Sequence, residues 1–385
     1  MADRGRSLGS VKSNKLIRLS KSCLSDAEKR AVMGVLDRDF LGMGAEVQLF
    51  EERLSEFFGR RAVCVVNGTA ALHLALQAAG IGQGDEVLVQ SLTYVASFQA
   101  ISATGAIPVA CDVNELTLTL DLQDAEKRLT PNTKAVMPVH YSGGVGELDE
   151  IYAFARKYGL RVIEDAAHAF GTQYQGKYVG GFGDIACFSF DGVKNITSGE
   201  GGCIVTDDPN ILLRVQDARL LGVERDTDMR YLAQRSWEFD VPAQGWRYHM
   251  SNIMAAIGIE QLKSFPKMAK KRQRLACHYD DLLSKHQSVQ SLWKDYTFVV
   301  PHIYVVRIKG MKNRKLLQEQ LLKLGIQTGV HYQPNHLLSL YKQQSSLPLD
   351  CTDSVFSELL TLPLHPGLNK EDVDYVIKTL MRILI

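Results

Sequence analysis

From residue 62 onward, short runs of apolar and β-branched residues alternate with segments whose apolar residues recur at helical spacing. AVCVV is followed by GTAALHLALQAAG, EVLVQ by TYVASFQAISATG, and KAVMPVH by ELDEIYAFARKYG. Apolar runs of this length between helices are typical of strands that are buried on both faces of a sheet. The alternation therefore predicts an α/β fold in which helices cover a mostly parallel sheet.

The length of the chain and the change of pattern along it indicate two domains. A chain of 385 residues is longer than one ordinary core requires. We predict a large domain over residues 16–255 and a smaller C-terminal α+β domain over residues 256–385. Residues 1–15 are basic and lack an apolar core, which predicts a flexible tail and not a secretory signal. Residues 221–247 are irregular and charged, as expected of a loop that contacts a substrate or a partner.

Helical patterns flank the predicted sheet on both sides. Residues 25–59 have the spacing of two helices, which Ser25 or Asp26 would begin and Gly59 would end. The segment that starts with SNIMAAIGIEQL has the pattern of a long helix, and we expect it to break near Pro266.

Charge and cysteine usage exclude several classes of protein. The 44 basic and 43 acidic residues leave a formal net charge of +1, which would not attract nucleic acid or an anionic membrane. No apolar run approaches the roughly 18 residues of a membrane span. The seven cysteines are scattered and form no CxxC pair. This pattern favours reduced thiols in a cytoplasmic protein, without a disulfide framework or a metal site.

Ligands of open parallel sheets bind beyond the carboxyl ends of the strands, so the residues after each apolar run are candidates for a site. Asn67, Gly68 and Thr69 follow the first run and begin a helix, where free N–H groups and a glycine suit a phosphate. An ordinary helix cap has the same sequence, and the glycine spacing of a dinucleotide fingerprint is missing. Tyr94 follows the second run and offers a flat face to a planar ligand, with core packing as the alternative.

Charged residues follow two later runs. Asp165 ends RVIED, and a carboxylate in that position needs a partner, either a protonated ring nitrogen or the N–H groups of a helix that it caps. His168 lies one turn further along the chain. Lys194 follows IACFSF in a turn rich in glycine, serine and threonine. In a dry pocket its pKa would fall and it would act as a nucleophile and general base, whereas the alternative is a solvated surface lysine.

An anion cradle, an aromatic plate, a carboxylate and a lysine are thus expected at one edge of one sheet. Together they match what pyridoxal 5′-phosphate requires. Its phosphate needs N–H and hydroxyl donors, its ring a stacking partner, its pyridine nitrogen an acid, and its aldehyde a lysine for a Schiff base. One cofactor accounts for four features that would otherwise be coincidental.

Four long segments of the chain resemble those of a known family. They are NGTAALHLAL, EDAAHAFGTQYQGKYVGGFGDIACFSFDGVKNITSGEGG, GWRYHMSNIMAAIGIEQL and LPLHPGLNKEDVDYVI. They are similar to segments of the DegT/DnrJ/EryC1/StrS family of sugar aminotransferases, and the resemblance extends from about residue 16 to the C-terminus. It implies the aspartate-aminotransferase fold (fold type I of pyridoxal phosphate enzymes) and a homodimer with its sites at the subunit interface.

The resemblance also implies roles for single residues. Lys194 would form the Schiff base and then move protons as a general base and acid, Asp165 would pair with the pyridine nitrogen, and His168 would lie near the ring hydroxyl. Tyr94 would stack on the ring. The remaining cofactor-binding residues would be Gly68, Thr69, Ala70 and Ser189, together with Asn252, which would reach the phosphate of the neighbouring subunit's cofactor.

The implied reaction moves an amino group from L-glutamate to the keto group of a nucleotide-linked sugar. A 4-keto-6-deoxyhexose is the commonest acceptor in the family, and we expect the amino sugar to serve a surface glycan such as a lipopolysaccharide O-antigen. His331 and Tyr332 lie where the small domain would close on the sugar. The sugar diphosphate would need cations, for which Lys177, Arg219 and Arg247 are candidates.

Three other functions compete with this one. Dehydratases of the same family have histidine in place of the lysine, whereas this chain keeps Lys194. A non-catalytic regulator that binds the cofactor would require neither Lys194 nor Asp165. A nucleotide-binding oxidoreductase would require the glycine spacing that is missing after the first strand.

Overall fold

A computed structural model describes residues 16–234, 238–292, 294–342 and 347–384; the predicted tail over residues 1–15 lies outside them. The described residues form a central sheet of seven strands and a small hairpin, β6–β7. The strands and the hairpin are β1 (Ala62–Val65), β2 (Glu86–Gln90), β3 (Ile107–Cys111), β4 (Thr133–Met137), β5 (Arg161–Asp165), β6 (Gln173–Tyr174), β7 (Lys177–Tyr178), β8 (Ile185–Ser189) and β9 (Gly202–Val205).

The strand order in the central sheet is β1-β9-β8-β5-β4-β2-β3. Strand β9 is antiparallel to both of its neighbours, β1 and β8, and the other neighbouring strands are parallel. The predicted mostly parallel sheet is therefore confirmed. Because β9 runs the other way, the carboxyl ends of β1, β8, β5, β4 and β2 lie along one edge.

Side chains alternate between two apolar layers, one on each face of the sheet. Val63 and Val65 of β1 belong to one cluster of buried residues, and Ala62 and Cys64 belong to another. This alternation follows from the period of two in a strand. The first layer is covered by α3 (Gly68–Ala78), α4 (Val95–Ala103) and α7 (Pro209–Ala218), and the second by α2 (Ala45–Phe58), α5 (Leu122–Lys127) and α6 (Leu148–Tyr158).

The predicted ends of the first two helices are confirmed. Helix α1 (Asp26–Leu36) begins after Ser25, which forms a capping box with Glu28. Helix α2 ends at Gly59, whose φ of 69° lies in the left-handed region that favours glycine.

The long helix α9 (Asn252–Leu283) is continuous over 32 residues, so the predicted break near Pro266 is wrong. Proline removes one backbone hydrogen bond from a helix, but packing along the helix can outweigh that loss. Helix α9 packs against α1 and α2. It also contacts α12 (Lys370–Leu384). The helix therefore crosses residue 255, where we predicted the domain change, and the division into domains stays a prediction.

The C-terminal unit is built on a three-stranded antiparallel sheet of described residues, in the order β10-β11-β12. Ile17, near the start of the described chain, pairs with Ile326 and packs in the core of this unit. None of the described helices is long and apolar enough to cross a membrane. The elements are β10 (Val289–Ser291), β11 (Tyr304–Ile308), α10 (Arg314–Lys323), α11 (Asp350–Glu358), β12 (Leu359–Leu362) and α12.

Candidate active site

A cavity of about 410 Å³ lies at the carboxyl edge of the central sheet. Its walls come from the turns that follow several strands, including Gly68 after β1, Tyr94 after β2, His168 after β5 and Lys194 after β8. These turns are far apart in the sequence, and the strand order brings them together. The cavity therefore lies where the sequence predicts a ligand.

One end of the cavity is the first turn of α3. Asn67 caps this helix, and its Oδ1 accepts a hydrogen bond of 2.8 Å from the Ala70 N–H. The N–H groups of Gly68 and Thr69 lie in the first turn, where no carbonyl of the helix can reach them. A Cβ at Gly68 would lie 2.7 Å from the Ser189 Cβ, so only glycine fits here. The cradle suits a phosphate; the Ala70 N–H already donates to Asn67, and the predicted cofactor-binding role of Ala70 stays a prediction.

Asp165 ends β5 and is only 6% exposed. Its Oδ2 accepts a hydrogen bond of 2.7 Å from Ser97 Oγ, and its Oδ1 accepts one of 3.2 Å from the Ala167 N–H. Glu164 points to the other face of the strand and lies 2.6 Å from His140 Nε2. The cavity thus receives one carboxylate of this acidic pair. Ser97 lies three residues after Tyr94 on α4, and sequence reasoning missed it because its partner is 68 positions away.

Lys194 lies in the turn after β8, and its N–H donates to the Asp191 carbonyl over 3.1 Å. Burial lowers the pKa of Lys194 to about 8, against the opposing charges of Asp165 and Asp191. Arg272 lowers it further. The amine therefore loses its proton more readily than an ordinary lysine, as a nucleophile and proton carrier requires.

His168 and Tyr332 meet across the cavity, with His168 Nε2 and Tyr332 Oη 2.9 Å apart. Burial lowers the pKa of His168 well below its usual range, and the charges of Lys194 and His331 add to the effect. The Ser142 N–H donates to His168 Nδ1 over 3.4 Å. The neutral ring therefore carries its proton on Nε2 and donates it to Tyr332. His331 and Tyr332, both predicted, line the cavity.

His302 is a cavity residue that the sequence analysis did not identify. It precedes β11, belongs to the C-terminal unit, and packs its ring 4.6 Å from that of His168. Sequence alone gives one weak signal, a histidine directly before an apolar strand. Nothing in the sequence indicates that the start of this strand reaches the edge of the other sheet.

The groups around the cavity fit pyridoxal phosphate. The cradle at Gly68 and the hydroxyl of Ser189 suit a phosphate, and the Asp165 carboxylate suits a protonated ring nitrogen. Tyr94 is 57% exposed and turns one face to the mouth of the cavity, so it can cover a planar ring. Lys194 has a lowered pKa, as expected of a lysine that reacts with an aldehyde.

Three predicted residues lie outside the cavity. Lys177 is exposed on the β6–β7 hairpin, and Arg247 is exposed beside Leu220, with which it forms an isolated bridge. Asn252 is buried at the start of α9, where its amide donates to the Phe40 carbonyl over 3.0 Å. Within one chain, none of the three lines the cavity.

The fourth, Arg219, was predicted as a cation for the sugar diphosphate, and this prediction is wrong. The side chain is fully buried and forms an ion pair with Glu51. It also donates to the Cys64 carbonyl over 2.7 Å and to Tyr231 Oη over 3.1 Å. Tyr231 ends α8 (Asp226–Tyr231), a helix inside the segment that we predicted to be irregular. Arg219 thus attaches that segment to the sheet and α2, and its full burial keeps it away from a substrate.

Comparison with known proteins gives the chain a family. Residues 22–381 match the DegT/DnrJ/EryC1/StrS aminotransferase family. The chain is 34% identical to the spore coat polysaccharide biosynthesis protein SpsC of Bacillus subtilis (strain 168), over 97% of this chain and 98% of that one. The protein described here therefore belongs to the DegT/DnrJ/EryC1/StrS aminotransferase family.

Solved structures agree with this assignment. Helicobacter pylori PseC, an aminotransferase involved in the biosynthesis of pseudoaminic acid, superposes with a TM-score of 0.88 at 29% identity, over 96% of this chain and 99% of that one. The PLP-form of Spr1654 from Streptococcus pneumoniae superposes with a TM-score of 0.89 at 30% identity, over 96% of this chain and 98% of that one. A PMP-form of Spr1654 is similar to the same degree. These comparisons confirm the predicted family, fold, aminotransferase class and pyridoxal phosphate cofactor.

Proposed function

We propose that this sugar aminotransferase moves the amino group of L-glutamate to the keto group of a nucleotide-linked sugar. The observation that supports it is the position of Lys194 in a cavity that also contains Asp165 and a phosphate cradle. Pyridoxal phosphate supplies an electron-withdrawing ring that stabilises negative charge on the carbon bearing the amino group. A 4-keto-6-deoxyhexose is the acceptor that we propose.

The residues of the chain divide the work between binding and proton transfer. Lys194 would bind the aldehyde carbon, and its freed Nζ would take a proton from the donor carbon and deliver it to the cofactor. Asp165, oriented by Ser97, would keep the pyridine nitrogen protonated. Tyr94 would cover one face of the ring, and His168 would lie near its hydroxyl. The phosphate would accept hydrogen bonds from Gly68, Thr69 and Ser189.

We further propose a cytoplasmic homodimer in which Asn252 approaches the neighbouring subunit's cofactor. The Asn252 N–H donates to the Leu41 carbonyl over 3.2 Å and to the Gly42 carbonyl over 3.0 Å. Phe40 and Leu41 are 44% and 45% exposed, so they offer an apolar surface beside Asn252. A second subunit on this surface would bury them. Arg247 and Lys177, both exposed, stay candidates for the sugar diphosphate of such a dimer.

The product is proposed to enter a surface glycan, which the similarity to SpsC, a polysaccharide biosynthesis protein, supports. Within the family, the alternative is a dehydratase, against which the retained Lys194 argues. A regulator without catalysis is disfavoured by the lowered pKa of the Lys194 amine.

The experiment is to incubate the purified protein with pyridoxal phosphate and reduce it with borohydride, with and without prior addition of L-glutamate. We expect mass spectrometry to find the cofactor fixed to the Lys194 peptide, and glutamate to prevent the fixation by converting the cofactor to its amine form. Keto-sugars are then added to the glutamate-treated enzyme. Ammonia release without an amino sugar would show a dehydratase, and no fixation at Lys194 would refute the proposal.

A further inference from the structure

His302 is a buried side chain to which the proposed mechanism gives no task. It is 4% exposed, and it lines the same cavity as Lys194. Its Nδ1 is buried without a hydrogen-bond partner, and its Nε2 bonds to no other described residue. Buried polar atoms are normally satisfied, so a ring with two unpartnered nitrogens beside a cavity points to a ligand.

A second observation places His331 next to it. His302 and His331 both border a smaller space of about 30 Å³ that adjoins Val193. A space of this size has room for one water or one oxygen of a ligand, and the polar residues that line it are the two histidines, Ser20 and Thr361. His331 Nδ1 lies 2.9 Å from Thr361 Oγ1, which fixes the ring and leaves its Nε2 for another partner.

The charged residues around the cavity limit which groups of the protein could bind an anionic ligand. Lys194 is the only lysine or arginine among the described residues that line the cavity, and it is engaged by the cofactor before the donor arrives. Arg272 lies behind the wall, but its Nη1 donates to the carbonyls of His302 and Leu364 over 3.0 and 3.2 Å. The acidic side chains at the cavity, Asp165, Asp191 and Glu200, would repel an anion. Apart from Lys194, the hydrogen-bond donors at the cavity are therefore neutral groups, and His302 and His331 are two of them.

Burial lowers the pKa of His302 well below its usual range, and the charges of Lys194 and His168 add to this effect. The ring is therefore neutral in the free site and can donate one hydrogen bond without repelling the lysine. An anion that binds to it would favour the protonated ring and raise its pKa again.

The structure of the amino donor indicates which anion would lie near His302. In an amino acid the carboxylate is attached to the carbon that carries the amine, and this amine takes the place of the Lys194 Nζ. The α-carboxylate must therefore lie within a few ångströms of Lys194. His302 and His331 line the same cavity, and the charge of Lys194 acts on both rings. We infer that His302, with His331 beside it, binds the α-carboxylate of the amino donor; the inference rests on the proposed function.

The test exploits the two half-reactions of the enzyme. In such a ping-pong scheme, kcat/KM for glutamate reports only the first half-reaction and kcat/KM for the keto-sugar only the second. For His302→Ala holoenzyme we expect kcat/KM for glutamate to fall roughly ten- to hundredfold, the range for hydrogen bonds to a charged group. The value for the keto-sugar, which has no carboxylate at this place, should change less than about threefold. His302→Gln keeps a donor and should recover part of the loss.

Binding without reaction gives a second readout. Glutarate, a five-carbon dicarboxylate without an amine, is titrated into holoenzyme by calorimetry. We expect a weaker Kd with His302→Ala, and proton uptake on binding to the wild type that the variant lacks. His278→Ala is the matched control, because His278 lies on the outer side of α9 with its Nε2 2.7 Å from Asp374 Oδ1. It should behave as the wild type in both assays.

The failures of the two proposals can be told apart. If wild-type enzyme converts glutamate and His302→Ala has the same kcat/KM for glutamate and Kd for glutarate, the inference is wrong and another group binds the carboxylate. Equal losses for glutamate and keto-sugar would also overturn it, because they show a structural role. If the wild type itself does not react with glutamate, the proposed function fails first.

Discussion

Two clusters of buried charge lie close to the central sheet, and they differ in how their polar atoms are satisfied. In the first, the terminal nitrogens of Arg219 donate to Glu51, the Cys64 carbonyl and Tyr231, so that the charge is paired and only the buried Nε lacks a partner among the described residues. In the second, at the cavity, Lys194 and His302 have polar atoms without a hydrogen bond to another described residue. Burial and charge alone do not separate these clusters.

The difference lies in what the fold leaves open. A buried ion pair such as Arg219–Glu51 holds two segments of the chain together. Removing one partner leaves the other charge buried and unpaired. A charge that faces a cavity is instead balanced by a ligand, and without that ligand its burial shifts its pKa. The first cluster should therefore affect stability when mutated, and the second should affect chemistry.

The largest effect is expected for Lys194→Ala. Losing the group that binds the aldehyde and moves the proton should reduce turnover at least about a thousandfold, the upper range for a general acid–base residue. The unfolding midpoint of the apoprotein should stay the same or rise, because a buried amine is removed. Steady-state assays and urea unfolding measure the two quantities. A variant that still forms the amino sugar at an appreciable rate would contradict the assignment of Lys194.

The opposite pattern is expected for Arg219→Met. This change leaves Glu51 buried without its partner and should lower the free energy of unfolding by about 3–5 kcal/mol. Turnover per folded molecule should be nearly unchanged. The double variant Arg219→Met/Glu51→Leu is the control, since it removes both charges and should be more stable than Arg219→Met alone. If Arg219→Met unfolds normally but loses turnover, Arg219 belongs to the site after all.

A smaller loss is expected for Asp165→Ala, about a hundredfold in kcat/KM, because the ring nitrogen would lose the charge that keeps it protonated. Ser97→Ala keeps the carboxylate and removes only the hydroxyl that orients it, so its loss should be about tenfold. Initial rates with both substrates test the series. Equal rates for wild type and Asp165→Ala would remove Asp165 from the site.

The sequence predicted those parts of the site that follow directly from strand ends. Gly68, Tyr94, Asp165 and Lys194 each come directly after an apolar run, and parallel strands bring such positions to one edge. The sequence did not predict His302, because this residue belongs to the C-terminal unit. How that unit packs against the central sheet cannot be deduced from local sequence patterns. Arg219 was misassigned because full burial of an arginine cannot be deduced from its neighbours in the chain.

The same holds for the fold. The alternation of strands and helices was sufficient to predict a mostly parallel sheet, since that pattern is local. Pro266 was expected to break α9, but the helix is continuous where it packs on α1 and α2. Local preferences are weak compared with tertiary packing. The errors thus fall at positions whose structure depends on packing against elements that are distant in the sequence.

A difference in pH dependence should separate the two clusters again. Burial lowers the pKa of Lys194 to about 8, whereas an unfolded lysine has a pKa near 10.4. Between these values the unfolded apoprotein binds more protons, so the contribution of Lys194 to the free energy of unfolding rises with pH. Lys194→Met should therefore be more stable than wild type at pH 7, and its advantage should shrink between pH 8 and about 10. Urea unfolding at several pH values measures the difference in the free energy of unfolding between variant and wild type. The contributions of the other titrating groups cancel in this difference.

Two comparisons make the result specific. Burial also lowers the pKa of Lys294 to about 8, and its Nζ donates to the Tyr141 carbonyl, outside the proposed cofactor position. Bound cofactor should abolish the pH effect of Lys194→Met and leave that of Lys294→Met unchanged. The stability loss of Arg219→Met should be flat over the same range, because a guanidinium stays charged throughout. Suppose instead that the stability difference between Arg219→Met and wild type varies with pH while that of Lys194→Met does not. The distinction between a cluster whose charge is paired and one whose charge faces a cavity would then be wrong.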